Sequence, residues 1–199
     1  MNKKELEIRL QELKGFSDPD PEIEQYRTPP WLAASVVWKA HMEGLVEGCR
    51  VYDLGCGTGV LGLGAKLLGA FEVVCVDKDP HAVDIAKENA RKLDLDIVFK
   101  CCDIADLDGQ ADLVLQNPPF GSQKKGSDRP FIRKSLQLAS VVYSFHLSKT
   151  DRFVRNYVES CGGEVVDSET VSFPLEKSMP WHQSELEEIK VNLYKFKSR

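Results

Sequence analysis

The feature that most constrains the fold is a regular alternation of apolar extended runs with helical segments from residue 50 onward. Strands that alternate with helices of about ten residues are typical of a parallel sheet covered by helices on both faces. The last two extended runs have no helix between them, which predicts an antiparallel hairpin at one edge. The predicted fold is therefore α/β, with a mostly parallel seven-stranded sheet. The strands are 50–55, 72–77, 96–101, 111–116, 141–147, 164–173 and 188–196, and the intervening helices are 60–68, 80–92, 128–139 and 151–160.

The N-terminal part of the chain has a different organisation. Residues 3–14 have the charged, amphipathic pattern of a short helix, and a proline-containing segment follows it. Thr28, followed by two prolines, is a typical helix start, and the apolar pattern continues from Leu32 to His41. We therefore expect residues 1–45 to form a helical extension and residues 46–199 to form the main domain.

Composition narrows the classes of function. No apolar run is long enough to span a membrane, and the charged N-terminus lacks a signal-peptide core. The six cysteines lack the spacing of a disulfide scaffold or a C-x-x-C pair, and the four histidines are scattered. We expect a cytoplasmic protein with reduced cysteines and no bound metal. The net charge of −5 argues against a protein that coats nucleic acid, but it allows a local basic patch.

The first strand ends in the sequence Asp53-Leu-Gly-Cys-Gly-Thr-Gly-Val60. Glycines at a strand–helix turn let the backbone approach a ligand at the helix N-terminus, although one glycine suffices for a tight turn alone. Acids also end the second and third strands, at Asp77 and Asp103, and Asn117 ends the fourth. Because open α/β sheets bind ligands at the carboxyl ends of their strands, this set predicts a nucleotide site in which Asp77 accepts the ribose hydroxyls.

The spacing of Gly55, Gly57 and Gly59 departs from the dinucleotide fingerprint, which requires a glycine where Val60 stands. The form D-L-G-x-G-x-G instead resembles motif I of class I S-adenosylmethionine (SAM) methyltransferases. That resemblance implies a Rossmann-like fold, SAM as cofactor and S-adenosylhomocysteine as product. It also implies that Asp103 binds the adenine amino group and that Ile104 packs beside the ring.

The segment Asn117-Pro118-Pro119-Phe120 follows the fourth strand, beside the expected methyl group. An exocyclic amine of a base is a poor nucleophile because its lone pair is delocalised into the ring. The Asn117 side-chain carbonyl and the Pro118 backbone carbonyl can accept its two hydrogens and direct its lone pair at the methyl group. The prolines stiffen the loop, and Phe120 can stack on an unpaired base. The alternative is a proline-terminated strand with a packed Phe120.

Over almost its full length the chain resembles the adenine-N6 methylases of small-subunit rRNA in their archaeal and eukaryotic form. The resemblance rests on Gln-Tyr-x-Thr at 25–28, the motif I segment and the N-P-P-F segment, with Thr58 and Ser122 as departures from the family pattern. It implies that the N-terminal extension covers the cofactor and that a small zinc-ribbon activator is a candidate partner. The cofactor contacts that it implies are Gln25, Tyr26, Thr28, Gly55, Thr58 and Val60.

Other functions share the same motifs. The N-P-P-F element also serves guanine-N2 methylases and, with Tyr for Phe, methylases of a protein glutamine, because both hold an amine or amide in the same way. A non-catalytic SAM-binding subunit is a further alternative, against which the intact segment 117–120 argues. Among these, the surrounding sequence favours adenine N6 of rRNA.

Basic side chains directly after the N-P-P-F segment favour an RNA substrate. Five of them lie between residues 124 and 134, against the single acid Asp128. Such clusters contact phosphates, although a solvated helix face has the same composition. The candidate RNA-binding residues are Lys124, Lys125, Arg129, Arg133 and Lys134, with weaker candidates at Lys149, Arg152, Arg155, Lys195, Lys197 and Arg199. Tyr143 and His146 are candidates for the wall of the active site, but we expect both to be packed. Trp181 and His182 lie in the predicted loop between the last two strands, where no pattern supports a substrate contact.

Overall fold

The computed structural model describes residues 1–16, 19–20, 24–121, 123–176 and 186–198. The sequence predictions about Ser122, Trp181, His182 and Arg199 lie outside these ranges.

The chain forms one seven-stranded sheet with the order β3-β2-β1-β4-β5-β7-β6. Strands β1 to β5 are parallel to one another, and β7 is antiparallel to both β5 and β6. The prediction of a mostly parallel sheet with a C-terminal antiparallel hairpin is confirmed. The strands are β1 (Arg50–Leu54), β2 (Glu72–Asp77), β3 (Val98–Cys101), β4 (Ala111–Gln116), β5 (Ala139–Leu147), β6 (Gly163–Glu176) and β7 (Leu186–Ser198).

Neighbouring residues of a strand point to opposite sides of the sheet. Because the strands carry apolar residues on both sides, helices cover both faces of the sheet. Leu113 packs with the helices of one face, and Val114 packs with those of the other. The first face carries α1, α2 and α3, and the second carries α5 and α6. The helices are α1 (Lys3–Gln11), α2 (Pro30–Met42), α3 (Val60–Leu67), α4 (Pro80–Lys92), α5 (Arg129–Leu138) and α6 (Asp151–Ser160). In addition, 3₁₀ turns span Ile104–Asp106 and Ser148–Thr150.

The helix boundaries follow local chemistry. α1 begins at a capping box, in which Asn2 and Glu5 each accept the other's backbone N–H. It ends at Gln11, three residues before the predicted end, although Leu13 remains buried. α2 begins at Pro30, where the missing N–H of proline has no cost.

The strand order places a ligand-binding crevice at one point of the sheet. The connection after β1 leads to β2 on one side, whereas β4 pairs with β1 on the other side. Parallel sheets bind ligands at such a switch point, outside the carboxyl ends of the strands. Asp53 and Asn117 lie at the carboxyl ends of these two neighbouring strands, so the fold brings them to this crevice.

Candidate functional site

A cavity of about 370 Å³ opens at the carboxyl ends of β1, β2 and β4. Two segments complete its wall: residues 24–28, which we call the strap, and residues 124–127 of the loop before α5. Most residues that the sequence predicted for the site line this cavity. They are Gln25, Tyr26, Thr28, Asp53, Gly55, Gly57, Thr58, Val60, Asp77, Asp103, Ile104, Asn117, Pro119, Lys124 and Lys125.

The glycine-rich turn has backbone angles that favour glycine. Gly55, Gly57 and Gly59 have φ values of 65°, 53° and 86°. At Gly55 an added Cβ would also lie 2.9 Å from the Phe131 ring. Gly59 is the N-cap of α3 and does not line the cavity. The two glycines of the turn that line the cavity, Gly55 and Gly57, present only backbone to it.

Asp77 joins this turn to the end of β2. Its carboxylate accepts the Gly57 N–H at 2.8 Å and the Asp79 N–H at 3.0 Å. Burial raises the pKa of Asp77 above its usual range. A carboxylate has about four lone-pair positions, so Asp77 can also accept from a hydroxyl donor in the cavity.

Asp53 is more deeply placed, with 1% of its surface exposed. It accepts the Gly62 N–H at 2.7 Å, which fixes the start of α3 against the end of β1. Burial raises the pKa of Asp53 to about 7.

Asp103 and Ile104 form the wall beyond β3. The Asp103 side chain accepts the Ala105 N–H at 2.9 Å and begins the 3₁₀ turn. Ile104 is 7% exposed and presents an apolar surface to the cavity. A polar acceptor beside an apolar surface suits a heteroaromatic ring that carries an amino group.

The strap contacts two parts of the protein around the cavity, the turn after β2 and the N-P-P-F segment after β4. Gln25 donates its amide N–H to Asp79, beyond the end of β2. Tyr26 stacks on Phe120, with ring centroids 6.4 Å apart and an interplanar angle of 19°. One residue of the strap therefore reaches the β2 side and the next reaches the N-P-P-F segment.

Asn117 has one satisfied and one unsatisfied side-chain atom. Its Nδ2 donates to the Thr28 Oγ1 at 3.0 Å. Its Oδ1 is buried and has no hydrogen-bond partner among the described residues. Buried polar atoms are almost always hydrogen-bonded, so an unpartnered acceptor in a cavity wall indicates a ligand donor.

Among the residues predicted to bind the cofactor or the acceptor, three do not line the cavity: Gly59, Pro118 and Phe120. Phe120 is 9% exposed, and it packs against Tyr26 and edge-on against Phe173, whose ring centroid is 5.6 Å away. Aromatic pairing with residues from distant segments thus holds the ring that the sequence assigned to base stacking. Stacking of Phe120 on a base stays a prediction.

The five basic candidates have different environments. Lys124 and Lys125 are exposed at the cavity rim, and Arg129 and Arg133 are exposed on α5. Lys134 instead donates to the carbonyl oxygens of Ala105 and Leu107, at 3.1 and 2.8 Å. These bonds join α5 to the 3₁₀ turn, so Lys134 has a structural partner where the sequence suggested a phosphate contact.

Glu24 is a cavity residue that sequence reasoning missed. It is 7% exposed, and its Oε1 accepts the Gln123 N–H at 2.9 Å, across 99 residues of sequence. Its Oε2 is buried without a hydrogen-bond partner among the described residues. An acid in a segment rich in proline and acids looks solvated in the sequence, so no pattern indicated its burial.

Two residues beside the site are packed, as the sequence favoured. The Tyr143 hydroxyl donates to Glu43 at 2.9 Å. His146 is 1% exposed and lies between the Ser144 hydroxyl, at 2.7 Å, and the Asp128 carboxylate, at 3.3 Å. Neither side chain reaches the cavity.

Within the described ranges, no group of three or more His, Cys, Asp or Glu residues is arranged to hold a metal ion. The helices in these ranges also include none with the length and apolarity needed to cross a membrane.

Three comparisons place this geometry among known proteins. The family model "Methyltransferase small domain" matches residues 34–138. The chain is 31% identical to the rRNA N(6)-adenosine-methyltransferase METTL5 of Danio rerio, over 98% of this chain and 99% of that one. It is 37% identical to the uncharacterized protein MJ0284 of Methanocaldococcus jannaschii, over 98% and 94% of the two chains. The crystal structure of PH1948 from Pyrococcus horikoshii superposes with a TM-score of 0.93 and 41% identity, over 100% and 98%.

Proposed function

We propose that this chain, which belongs to the methyltransferase small-domain family, methylates an exocyclic amine of RNA. The amine that we assign is adenine N6 of small-subunit rRNA. SAM is the cofactor of the family. The observation that carries the proposal is the buried Asn117 Oδ1, which lacks a hydrogen-bond partner in the described structure and lies in the cavity wall. It supplies an acceptor at the place where the amine must be held.

The residues of the cavity suit SAM. Its volume of about 370 Å³ falls in the range of small-molecule sites. We assign the ribose hydroxyls to Asp77, the adenine ring to Asp103 and Ile104, and the methionine portion to the glycine-rich turn. When bound, SAM supplies an electrophilic methyl group and leaves as S-adenosylhomocysteine. The N-terminal extension, residues 1–45, contributes Gln25 and Tyr26 to this cofactor site through the strap, and it contributes Thr28 to the wall beside Asn117.

On the acceptor side, Asn117 orients the amine. Its Oδ1 accepts one N–H of the amine, and we assign the second N–H to the backbone carbonyl of Pro118. Pro118 is not among the residues that line the cavity, but both of its chain neighbours, Asn117 and Pro119, are. Two acceptors on one nitrogen direct its lone pair away from the ring plane, toward the methyl group. Orientation of this kind supplies a large part of a rate enhancement without a strong general base.

The choice of RNA, and of adenine, rests on two supports. A relative named for rRNA N6-adenosine methylation aligns over nearly the whole of both chains. Exposed Lys124 and Lys125 at the cavity rim add positive charge where a phosphate backbone would pass. Guanine N2 and a protein glutamine remain the alternative acceptors, and the experiment below distinguishes them.

The test is transfer of labelled methyl from SAM to small-subunit RNA from cells that lack the protein, with and without a candidate zinc-ribbon activator. The RNA is digested to nucleosides, which are identified by mass spectrometry. We expect N6-methyladenosine. N2-methylguanosine would overturn the choice of base, and absence of label in the RNA while SAM still binds would overturn the choice of RNA and leave a protein acceptor or a non-catalytic subunit.

A second test uses the variant Asn117→Ala. Because Asn117 contacts the acceptor and not the cofactor in this proposal, the variant is expected to lose transfer and to keep its SAM Kd within a few-fold. Equal loss of transfer and of SAM binding would move Asn117 from the acceptor side to the cofactor side. Full activity of the variant would remove it from the mechanism.

A further inference from the structure

Three side chains outside the cavity, two of them exposed and one half-buried, form a stack on α5 and α6. The Arg129 guanidinium carbon lies 4.8 Å from the centroid of the Phe153 ring and 6.0 Å from that of Tyr157. The two rings are 5.6 Å apart and nearly parallel, with an interplanar angle of 17°. We call Arg129, Phe153 and Tyr157 the platform.

Part of the platform is open to solvent. Phe153 is 37% exposed and Arg129 is exposed as well, whereas Tyr157 is half-buried and packs against the core. Single exposed rings are common on protein surfaces, and what distinguishes Phe153 is the guanidinium and the second ring beside it. The platform therefore offers an accessible aromatic edge next to a positive charge.

The charge around the platform is favourable for an anion. Arg133 donates to the Tyr157 hydroxyl at 2.9 Å and adds a second guanidinium beside Arg129. Two acids that adjoin these residues in the sequence have other partners: Asp128 contacts His146 in the interior, and Asp151 pairs with Arg155. Glu159, on the last turn of α6, is exposed. A flat aromatic surface with two arginines is the combination that binds a base by stacking and its phosphate by charge.

The platform is continuous with the cavity. Gly126 lines the cavity, and a Cβ added to it would lie 3.1 Å from the Arg129 Nε. Pro130 and Phe131, which follow Arg129 in the chain, also line the cavity. Arg129 therefore lies next to residues of the cavity wall, within reach of a nucleotide that neighbours one whose base enters the cavity.

We propose that the platform of Arg129, Phe153 and Tyr157 stacks an unpaired base of single-stranded RNA, one that flanks the target nucleotide. The inference rests on the proposed function and adds a second contact region to it. A target base that enters a protein cavity leaves its neighbours without a stacking partner. Aromatic rings and guanidinium planes replace that lost stacking in single-stranded RNA recognition.

The test measures binding of short fluorescein-labelled single-stranded RNAs by anisotropy. One RNA carries normal bases on both sides of an adenine, and a second carries abasic sites at the flanking positions. The variants are Phe153→Leu, which keeps apolar bulk, and Arg129→Lys, which keeps charge. Phe71→Leu is the matched control, because Phe71 is 72% exposed and precedes β2, at the end of the sheet opposite the cavity.

Loss of one stacked base weakens binding by about fivefold or more. We expect Phe153→Leu and Arg129→Lys to lose at least this factor on the normal RNA, with little change on the abasic RNA. Phe71→Leu should match the wild type on both. SAM affinity and far-UV circular dichroism check that each variant is folded, and the two platform variants serve as independent tests if one of them is not.

Wild-type affinity of both platform variants for the normal RNA would overturn the inference. So would an equal loss on normal and abasic RNA, which would indicate charge or fold instead of stacking. Failure of the proposed function has a different signature, since the wild-type protein would then transfer no methyl group to RNA. Methylation of RNA by Phe153→Leu at wild-type rate and affinity would leave the proposed function intact and exclude the platform.

Discussion

The side-chain amide of Asn117 donates to the hydroxyl of Thr28 at 3.0 Å, although the two residues lie 89 positions apart in the sequence. Thr28 is 5% exposed, so little water competes for its hydroxyl. An amide whose N–H is held on one side presents its carbonyl oxygen on the other. Thr28 therefore sets which atom of Asn117 is available in the cavity.

This contact predicts that Thr28 affects the rate of methyl transfer and not the affinity for SAM. Thr28→Val keeps the shape and removes the acceptor, which frees the amide to rotate. We expect kcat to fall about tenfold, as for a lost hydrogen bond of roughly 1.5 kcal/mol, with a SAM Kd within twofold. Thr28→Ser should restore kcat. A rise in SAM Kd with unchanged kcat would instead support the cofactor contact that the family resemblance implies.

Asp77 is expected to affect both the cofactor and the glycine-rich turn. Asp77→Ala removes the acceptor for the proposed ribose hydroxyls and for the Gly57 N–H. We expect SAM binding to weaken by about 1–3 kcal/mol in isothermal titration calorimetry. Asp77→Asn keeps one acceptor oxygen and should lose less. Unchanged affinity in Asp77→Ala would remove this residue from the cofactor site.

The raised pKa of Asp53 predicts a pH dependence of stability. Burial holds this pKa at about 7 in the folded protein, whereas an unfolded Asp titrates near 3.9, so the folded state binds more protons between these values. Relative to Asp53→Asn, the wild-type free energy of unfolding should therefore fall as pH rises from about 4 to about 7. Urea unfolding at several pH values measures it. Parallel pH profiles for the two proteins would contradict the burial effect.

We expect Lys124 to contact a phosphate and Lys134 to have a structural role. Because Lys134 holds two backbone carbonyls, Lys134→Met is expected to lower the free energy of unfolding by about 1 kcal/mol and to leave the salt dependence of RNA binding unchanged. Lys124→Met should keep stability and reduce the slope of log K against log salt by about 0.7. The opposite pattern would exchange the two roles.

Local signals in the sequence were sufficient for the sheet and for one side of the site. The strand–helix period placed the strands, and the acids and the asparagine that end them pointed to the crevice, because the carboxyl ends of parallel strands share one edge. Asp53, Asp77 and Asn117 were thus predictable from their positions alone. The lengths of helices such as α1 were less predictable, because the ends of a helix fray and depend on tertiary contacts.

Long-range packing determined what the sequence did not reveal. Phe120 is covered by Tyr26 and Phe173, and Glu24 is buried against Gln123, through contacts between segments that are distant in the sequence. Lys134 resembles its basic neighbours in the sequence, and only the position of the 3₁₀ turn gives it two carbonyl partners. Phe153 and Tyr157 look like the apolar positions of any amphipathic helix, so their pairing with Arg129 required the structure.

The insertion of β7 between β5 and β6 has a consequence for synthesis of the protein. β7 is the last strand in chain order, yet it pairs with a neighbour on each side. While a ribosome still holds Leu186–Ser198, β5 ends the parallel part of the sheet with an uncovered edge, and β6 has no strand to join. Unpaired edges of this kind favour aggregation, so the nascent chain passes through a vulnerable interval that ends only when β7 emerges.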